Sequence, residues 1–143
     1  MKKFIVAAAF VALAIPVAAA DEAAAKKLNG SYQVLSLTSG GKPDDQKKDR
    51  VSEFTIKDGT VVIREAGEKA DTATFTVDPK EKPAHFDIIA GGDEKMLGIY
   101  EAKETDKGLE LTIAFPKSSK SPRPKDFKGE GPDVVVVKLL RKK

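Results

Sequence analysis

The chain contains no cysteine and no tryptophan, and it has a single histidine, His85. Without cysteine, disulfide bonds and thiol catalysis are excluded, so the folded chain must be stabilised by its apolar core alone. One imidazole cannot supply the three protein ligands of a typical catalytic zinc site unless carboxylates contribute. We therefore expect no bound metal and no other cofactor.

Sequence motifs of known enzymes are also lacking. The chain has no Gly-x-Ser-x-Gly nucleophile turn, no Walker phosphate loop and no His-Glu-x-x-His helix. Adjacent carboxylates such as Asp44 and Asp45 fall in a predicted loop, where a solvated role is the simpler interpretation. We therefore predict no catalytic residue and no enzymatic activity. A hydrolase would require a cleft with converging polar groups, and no residue pattern points to one.

The one long apolar run is N-terminal. Lys2 and Lys3 precede the apolar residues 4–17, and alanines occupy positions 18–20. A basic start, a short apolar segment and small residues before the cleavage point are typical of a secretory signal. The run is shorter than the roughly 20 apolar residues of a spanning helix. We predict a signal peptide over residues 1–20, a periplasmic or extracellular location, and no membrane span after its removal.

Charge of either sign is in little excess. The chain carries 25 Lys and Arg against 22 Asp and Glu, and without Lys2 and Lys3 the balance becomes 23 against 22. A nearly neutral chain predicts no nucleic-acid binding. Removing 20 of the 143 residues leaves 123, the length of one domain, which we expect to be monomeric. Residues 21–27 are predicted to be a leader too short for an independent helix, and residues 28–143 the domain.

The apolar pattern of the domain has a period of two. Residues 109–115 alternate apolar and polar or small side chains, and Asp58-Gly59 separates two similar segments, as in a tight β-hairpin. Eight such segments without a convincing interior helix predict antiparallel strands, arranged as a sandwich or a barrel. A barrel removes the unpaired edges that an open sheet exposes. We predict an eight-stranded, antiparallel, up-and-down β-barrel.

Short motifs at both ends of the domain suggest a family. Gly30-Ser31-Tyr32 resembles the Gly-x-Trp of the first strand of lipocalin-type barrels, with Tyr in place of Trp. Arg141 stands near the end of the last strand, where such barrels place a basic residue over that aromatic ring. The resemblance implies that Tyr32 and Arg141 close one end of the barrel, in a contact worth about 0.5–2 kcal/mol.

A wider resemblance rests on the order of several segments along the chain: LNGSYQV, FTIKDG, VDPKEKPAHFDI, LGIYE, RPKDF and VVKLLRKK. This order resembles an uncharacterised lipocalin-like domain family that recurs in exported proteins of planctomycete-type bacteria. The chain departs from the family pattern at Tyr32, at Ala84, where the family has Lys, and at Phe86, where it has Ile. The resemblance implies a lipocalin-like barrel and implies no activity.

An eight-stranded barrel has an interior that is either filled by side chains or wide enough for one small ligand. Alternation places bulky residues inside, including Val34, Leu97, Ile99, Val135 and Val137, although a slip of one residue would reverse any of these faces. We predict an exported, non-enzymatic binding protein for a small, mostly apolar ligand that enters opposite Tyr32 and Arg141. The predicted ligand-binding residues are Phe54, Phe75, Phe86, Tyr100 and Phe115.

Three further residues of the recurring segments are predicted to anchor a loop. Asp87 is expected to hold either backbone N–H groups or Arg123, and Phe127 to supply an apolar contact, so that together they fix the loop of residues 116–133 to the barrel. Functionally, Asp87, Tyr100 and Arg123 could instead bind the polar end of a ligand.

His85 shares a strand face with Asp87, which allows either a metal-binding or acid–base pair or, more simply, a solvated surface pair. The alternative function is a protein–protein interaction module, in which the loops 39–51 and 116–133 grip another protein of the cell envelope.

Overall fold

The computed structural model describes residues 18–90, 94–131 and 133–142, so most of the predicted signal peptide lies outside the described residues. The described chain forms two helices, α1 (Ala18–Lys26) and α2 (Asp45–Arg50), and ten strands. The strands are β1 (Gly30–Ser31), β2 (Gln33–Ser39), β3 (Lys42–Pro43), β4 (Val51–Lys57), β5 (Thr60–Glu65), β6 (Asp71–Asp78), β7 (Ala84–Ala90), β8 (Glu94–Thr105), β9 (Gly108–Pro116) and β10 (Val134–Lys142).

All ten strands belong to one antiparallel sheet, in the order β1-β4-β5-β6-β7-β8-β9-β10-β2-β3. The prediction of an all-β antiparallel fold is confirmed. The predicted closed barrel of eight strands is wrong, because the sheet has ten strands and curls into a half-barrel. The two additional strands are short: β3, and β1, which is separated from β2 by Tyr32.

The break at Tyr32 explains why closure is incomplete. β1 pairs with β4, whereas β2, after the break, pairs with β10 and β3. The Tyr32 N–H still donates to the Phe54 carbonyl at 2.8 Å, which extends the first pairing by one bond. Beyond that point α2 contacts both β2 and β4. In the described part of the chain, the two margins of the curled sheet, at β2 and at β4, are thus joined in two ways. At one end the backbone hydrogen bonds of β1 and Tyr32 to β4 join them, and at the other end α2 contacts both.

Two ends of the curled sheet are distinguished from here on. The closed end is where β1 begins and β10 reaches Arg141, and the open end is where β2 stops at Ser39 and β9 at Pro116. The predicted hairpin between β4 and β5 lies at the closed end. Asp58 and Gly59 have φ of 47° and 82°, the positive values that a type I′ turn requires, which confirms the hairpin.

The apolar core lies on the inner face of the sheet. Residues of β9 at alternate positions, from Leu109 to Ile113, are buried there as the alternation predicts. The core also contains Leu28, Tyr32, Leu37, Phe54, Ile56, Val61, Phe75, Val77, Phe86, Tyr100, Val137 and Leu139.

The predicted inward faces of Leu97 and Ile99 are wrong. Gly98 pairs with Phe86 and shares its inner face, so the two flanking residues point outward. A Cβ at Gly98 would lie 2.7 Å from the carbonyl oxygens of Phe86 and Ala114, which leaves no room for a side chain there. Ile99 instead belongs to a small cluster on the outer face, with Ala114, Val136, Val134 and Phe127.

Residues 21–26 of the segment predicted to be a leader form most of helix α1. α1 contacts β6, and Ala24 and Ala25 pack against the core beside the fully buried Leu28. Tertiary packing therefore stabilises a helix that is too short to form alone. Among the residues that the structure describes, neither helix combines the length and the apolar character needed to cross a lipid bilayer.

Candidate functional site

A cavity of about 500 Å³ lies at the open end, on the inner face of the sheet. This volume falls within the range of roughly 300–1,000 Å³ that is typical of small-molecule sites. Its wall is apolar and comes from strands on both margins of the sheet as well as from its centre. The apolar lining residues are Val34, Leu37, Val51, Phe54, Ile63, Met96, Phe115, Val135 and Val137.

Polar side chains surround this cavity where the strands end. Ser39, Glu65, Asp71 and Lys117 come from strand ends or the residues next to them, and Asp44 and Lys47 come from the start of α2. We call these six residues the rim. Polar residues collect here because the chain reverses direction at the open end, where connecting segments face solvent and are predominantly polar. The cavity thus has an apolar interior and a charged entrance.

A second cavity, of about 380 Å³, adjoins the first. Both are lined by Phe54, Ile63, Asp71 and Phe115, and the second is bounded mainly by further apolar residues. These are Val61, Ala73, Phe86, Ile88, Ala90 and Ile113, together with Thr72. The interior of the half-barrel is therefore partly hollow, and Phe54 and Phe115 stand between its two spaces.

The structure brings three of the five predicted ligand-binding residues to these cavities. Phe54 and Phe115 line both, and Phe86 lines the second. Phe75 and Tyr100 instead pack on Phe86 within the core: Phe75 is stacked with a centroid distance of 4.6 Å, and Tyr100 meets it edge-on at 5.9 Å. These two residues contact Phe86, which lines the second cavity, and they do not line either cavity themselves.

The closed end is sealed by hydrogen bonds from Tyr32 and Arg141. The Tyr32 hydroxyl donates to the Leu28 carbonyl at 2.6 Å. The Arg141 guanidinium donates to the carbonyls of Lys27 and Asn29, at 2.8 and 2.6 Å. Both side chains therefore bind the segment that joins α1 to β1.

Tyr32 and Arg141 also interact with each other. Burial raises the pKa of the Tyr32 hydroxyl above its ordinary value, and the positive charge and hydrogen bond of Arg141 lower it by a smaller amount. Arg141 lies against Gly30, where a Cβ would collide with its Cδ atom. Glycine at this position thus leaves the room that Arg141 needs to reach the closed end.

The structure also brings together the three residues predicted to anchor the long loop. Arg123 donates to the Asp87 carboxylate at 2.5 Å and to the Gly98 carbonyl at 2.7 Å. Phe127 packs on the outer cluster, beside Ile99. Arg123 and Phe127 therefore hold this part of the loop against the outer face of the sheet, at β7, β8 and β10.

His85 lies on the outer face of β7, opposite Ile99 in the ladder. Asp87, two residues along, is engaged by Arg123 and lies 3.8 Å from the Lys95 ammonium. Within the described ranges, no group of three His, Cys, Asp or Glu side chains is arranged to hold a metal ion. The Asp87 carboxylate is therefore paired with Arg123 of the long loop. In the described part of the chain, neither a hydrogen bond nor an ion pair joins Asp87 to His85.

Sequence reasoning missed the rim. Alternation placed Val34, Val135 and Val137 on the inner face, where they line the cavity. Lys47 and Lys117 gave no comparable signal, because they lie in segments without period-two alternation. Only the chain reversals of the folded sheet bring these two residues to one entrance.

No protein-family model matches the chain, and neither the curated proteins nor the solved structures that were searched contain a match. What the chain does must therefore be inferred from the geometry of its own cavity.

Proposed function

We propose that this protein is a non-enzymatic binding protein that holds a small, mostly apolar molecule in the cavity at the open end. The observation that carries the proposal is the cavity of about 500 Å³ with its apolar wall. A half-barrel of well-paired strands provides a preformed site, so little ordering of the protein opposes binding.

The lining determines which chemistry suits the cavity. Burying apolar ligand surface is favourable by about 25 cal/mol per Å², whereas burying a polar group without a partner is costly. The inner wall consists of aliphatic and aromatic side chains, and hydrogen-bonding groups are concentrated at the rim. A ligand with an apolar body is therefore favoured over a sugar or a nucleotide.

Location and architecture extend the proposal. A signal peptide over residues 1–20 would deliver the protein to the periplasm or the extracellular space, where a lipocalin-like carrier would meet apolar molecules that need a protein host. The proposed protein is a monomer.

The alternative role, in which residues 39–51 and 116–133 grip another envelope protein, has less support, because the second loop is tied to the sheet by Arg123 and Phe127.

Titration with dodecanol tests the proposal, using isothermal calorimetry below the micelle concentration of the probe. Val34→Phe places a larger side chain in the cavity and should weaken binding by at least about tenfold, equivalent to about 1.4 kcal/mol. Leu35→Phe is the matched control, because the neighbouring Leu35 is 40% exposed and does not line either cavity. Absence of dodecanol binding to the unmodified protein, or equal binding by both variants, would contradict the proposal.

A further inference from the structure

We infer that the bound molecule has two apolar chains joined at one polar head group, and that each chain occupies one of the two cavities. This inference rests on the proposed function, because it specifies the shape of the apolar part of the same ligand. The class of ligand is thus a two-chain amphiphile.

The two cavities lie side by side over different strands of the curled sheet. The first, of about 500 Å³, is lined mainly from the margins, by residues such as Val34 of β2, Val51 of β4 and Val135 of β10. The second, of about 380 Å³, is lined mainly from the middle strands, by residues such as Val61 of β5 and Ala73 of β6. Each volume falls within the range of roughly 300–1,000 Å³ of small-molecule sites, so each cavity has room for an apolar chain.

Phe54 and Phe115 separate the two cavities. They come from β4 and β9, and four strands, β5 to β8, lie between these two in the order of the sheet. Both side chains line both cavities. Phe54 is buried and meets Tyr32 edge-on at a centroid distance of 6.3 Å, so the packing of the closed end holds it in place. A chain that fills one cavity would have to pass these aromatic rings to reach the other.

Both cavities reach the open end of the sheet, and they meet there at Asp71. Asp71 begins β6 and lines both cavities, whereas Thr72 and Ala90, which also lie near strand ends, line only the second. From this entrance the second cavity extends inward to Phe86 and Ile113. The two cavities therefore run inward from a common entrance.

Two spaces with a common entrance match a ligand with two chains. One long chain would have to reverse its direction inside the protein, or cross between Phe54 and Phe115, to occupy both. Two chains joined at a head group enter both spaces at once, and the head group stays at the rim, where solvent and polar side chains satisfy it. Joining the chains also strengthens binding, because the second chain binds without a second loss of translational freedom.

The test compares two probes that differ by one chain. The rim carries charged groups of both signs, so both probes have the same zwitterionic head group. Diheptanoylphosphatidylcholine has two chains and heptanoyl lysophosphatidylcholine has one, and isothermal calorimetry measures each below its micelle concentration. Because each buried methylene group strengthens binding by up to about fourfold, the two-chain probe should bind at least about tenfold more tightly, with one molecule per protein.

Ala73→Phe adds a bulky side chain to the second cavity, which is the only one of the two that Ala73 lines. It should reduce the advantage of the two-chain probe to less than about threefold and change the affinity of the one-chain probe by no more than about twofold. Ala90→Leu makes a smaller addition to the same cavity and should act in the same direction. Thr74→Phe is the matched control and should keep the full advantage, because Thr74 is exposed and follows Ala73 on the opposite face of β6.

Circular dichroism shows which variants are folded. Equal affinity of the two probes for the unmodified protein, or two molecules of the two-chain probe per protein, would overturn the inference while the proposed function stands. An advantage of the two-chain probe that survives undiminished in folded Ala73→Phe or Ala90→Leu would do the same. Failure of both probes and of dodecanol to bind would overturn the proposed function itself.

Discussion

At the closed end of the sheet, Tyr32 and Arg141 hydrogen-bond three successive backbone carbonyls, those of Lys27, Leu28 and Asn29. At the open end, a cavity of about 500 Å³ separates the margins of the sheet, and α2 stands where a ladder would otherwise close it. The same strands run through both ends. The closed end is filled and the open end is hollow because different segments cover them. Residues 27–29, bound by Tyr32 and Arg141, cover the closed end, whereas α2 stands at the open end.

This comparison shows how one half of a small fold stabilises the other. The closed half contains the completely buried residues Ile56, Leu111 and Leu139, whereas the residues around the cavity include half-buried ones such as Val34 and Val135. An unfilled cavity forfeits dispersion contacts along its lining. The closed half must therefore supply the stability that allows the open half to remain hollow.

The largest expected effect tests whether the closed half is more tightly packed than the open half, by truncating one leucine side chain in each half. Leu139→Ala creates a new void in a packed region and should lower the free energy of unfolding by about 3–5 kcal/mol. Leu37→Ala only enlarges an existing cavity and should cost about 1–3 kcal/mol. Urea denaturation measures both values. An equal or larger loss of unfolding free energy for Leu37→Ala would contradict the claim that the closed half is the more tightly packed one.

A smaller effect concerns the loop that starts at the open end and lies on the outer face. In a double-mutant cycle with Arg123→Gln and Asp87→Asn, we expect a coupling energy of about 1–2 kcal/mol, because the ion pair is partly buried with side-chain exposures of 23% and 14%.

The ion pair between Arg64 and Glu53 is the control for this cycle, since its side chains are 48% and 38% exposed. Its coupling energy should stay below about 0.5 kcal/mol. Equal coupling energies for the two pairs would show that the Arg123 contact does not anchor the loop.

The smallest expected effect concerns Tyr32 and depends on pH. At pH 7, Tyr32→Phe removes a buried hydrogen bond to the Leu28 carbonyl and should cost about 1 kcal/mol. The pKa of Tyr32 is raised in the folded protein, so its neutral form stabilises the fold below the unfolded pKa of about 10.0, and this contribution is lost as pH rises through the folded pKa.

The gap in stability between the unmodified protein and Tyr32→Phe should therefore narrow above pH 10. Thermal denaturation of both proteins from pH 7 to 11 measures it, and the comparison cancels the titration of the lysines that they share. A gap that widens above pH 10 would mean that ionised Tyr32 is favoured in the folded state, contrary to its burial.

Sequence patterns anticipated the fold where local rules are strong. Asp58-Gly59 marked a hairpin because few other residues adopt positive φ at both central positions. The alternation of residues 109–115 placed Leu111 and Ile113 correctly inside. The same reasoning failed at residues 97–99, because the outer face there is also apolar and is covered by Phe127 from the long loop. Apolar residues on both faces of a strand remove the alternation that identifies the inner one.

The candidate site was predictable only in part, for a similar reason. Phe54 and Phe115 could be placed inside from their strands, whereas the position of Tyr100 behind Phe86 depends on packing between strands distant in the sequence. Lys47 and Lys117 are 70 positions apart and lie outside alternating segments, so no local pattern connects them. Their shared entrance follows from the order of strands in the sheet.

The sequence by itself determined that the domain is all-β, because period-two alternation and turn residues act over a few neighbouring positions. The tertiary structure alone decided that the sheet stops at a half-barrel, that Tyr32 and Arg141 act at the closed end through the carbonyls of residues 27–29, and that the other end is hollow. Closure and cavity volume depend on the register of strands far apart in the chain and on how completely their side chains fill the enclosed space, and neither quantity is encoded in a local pattern.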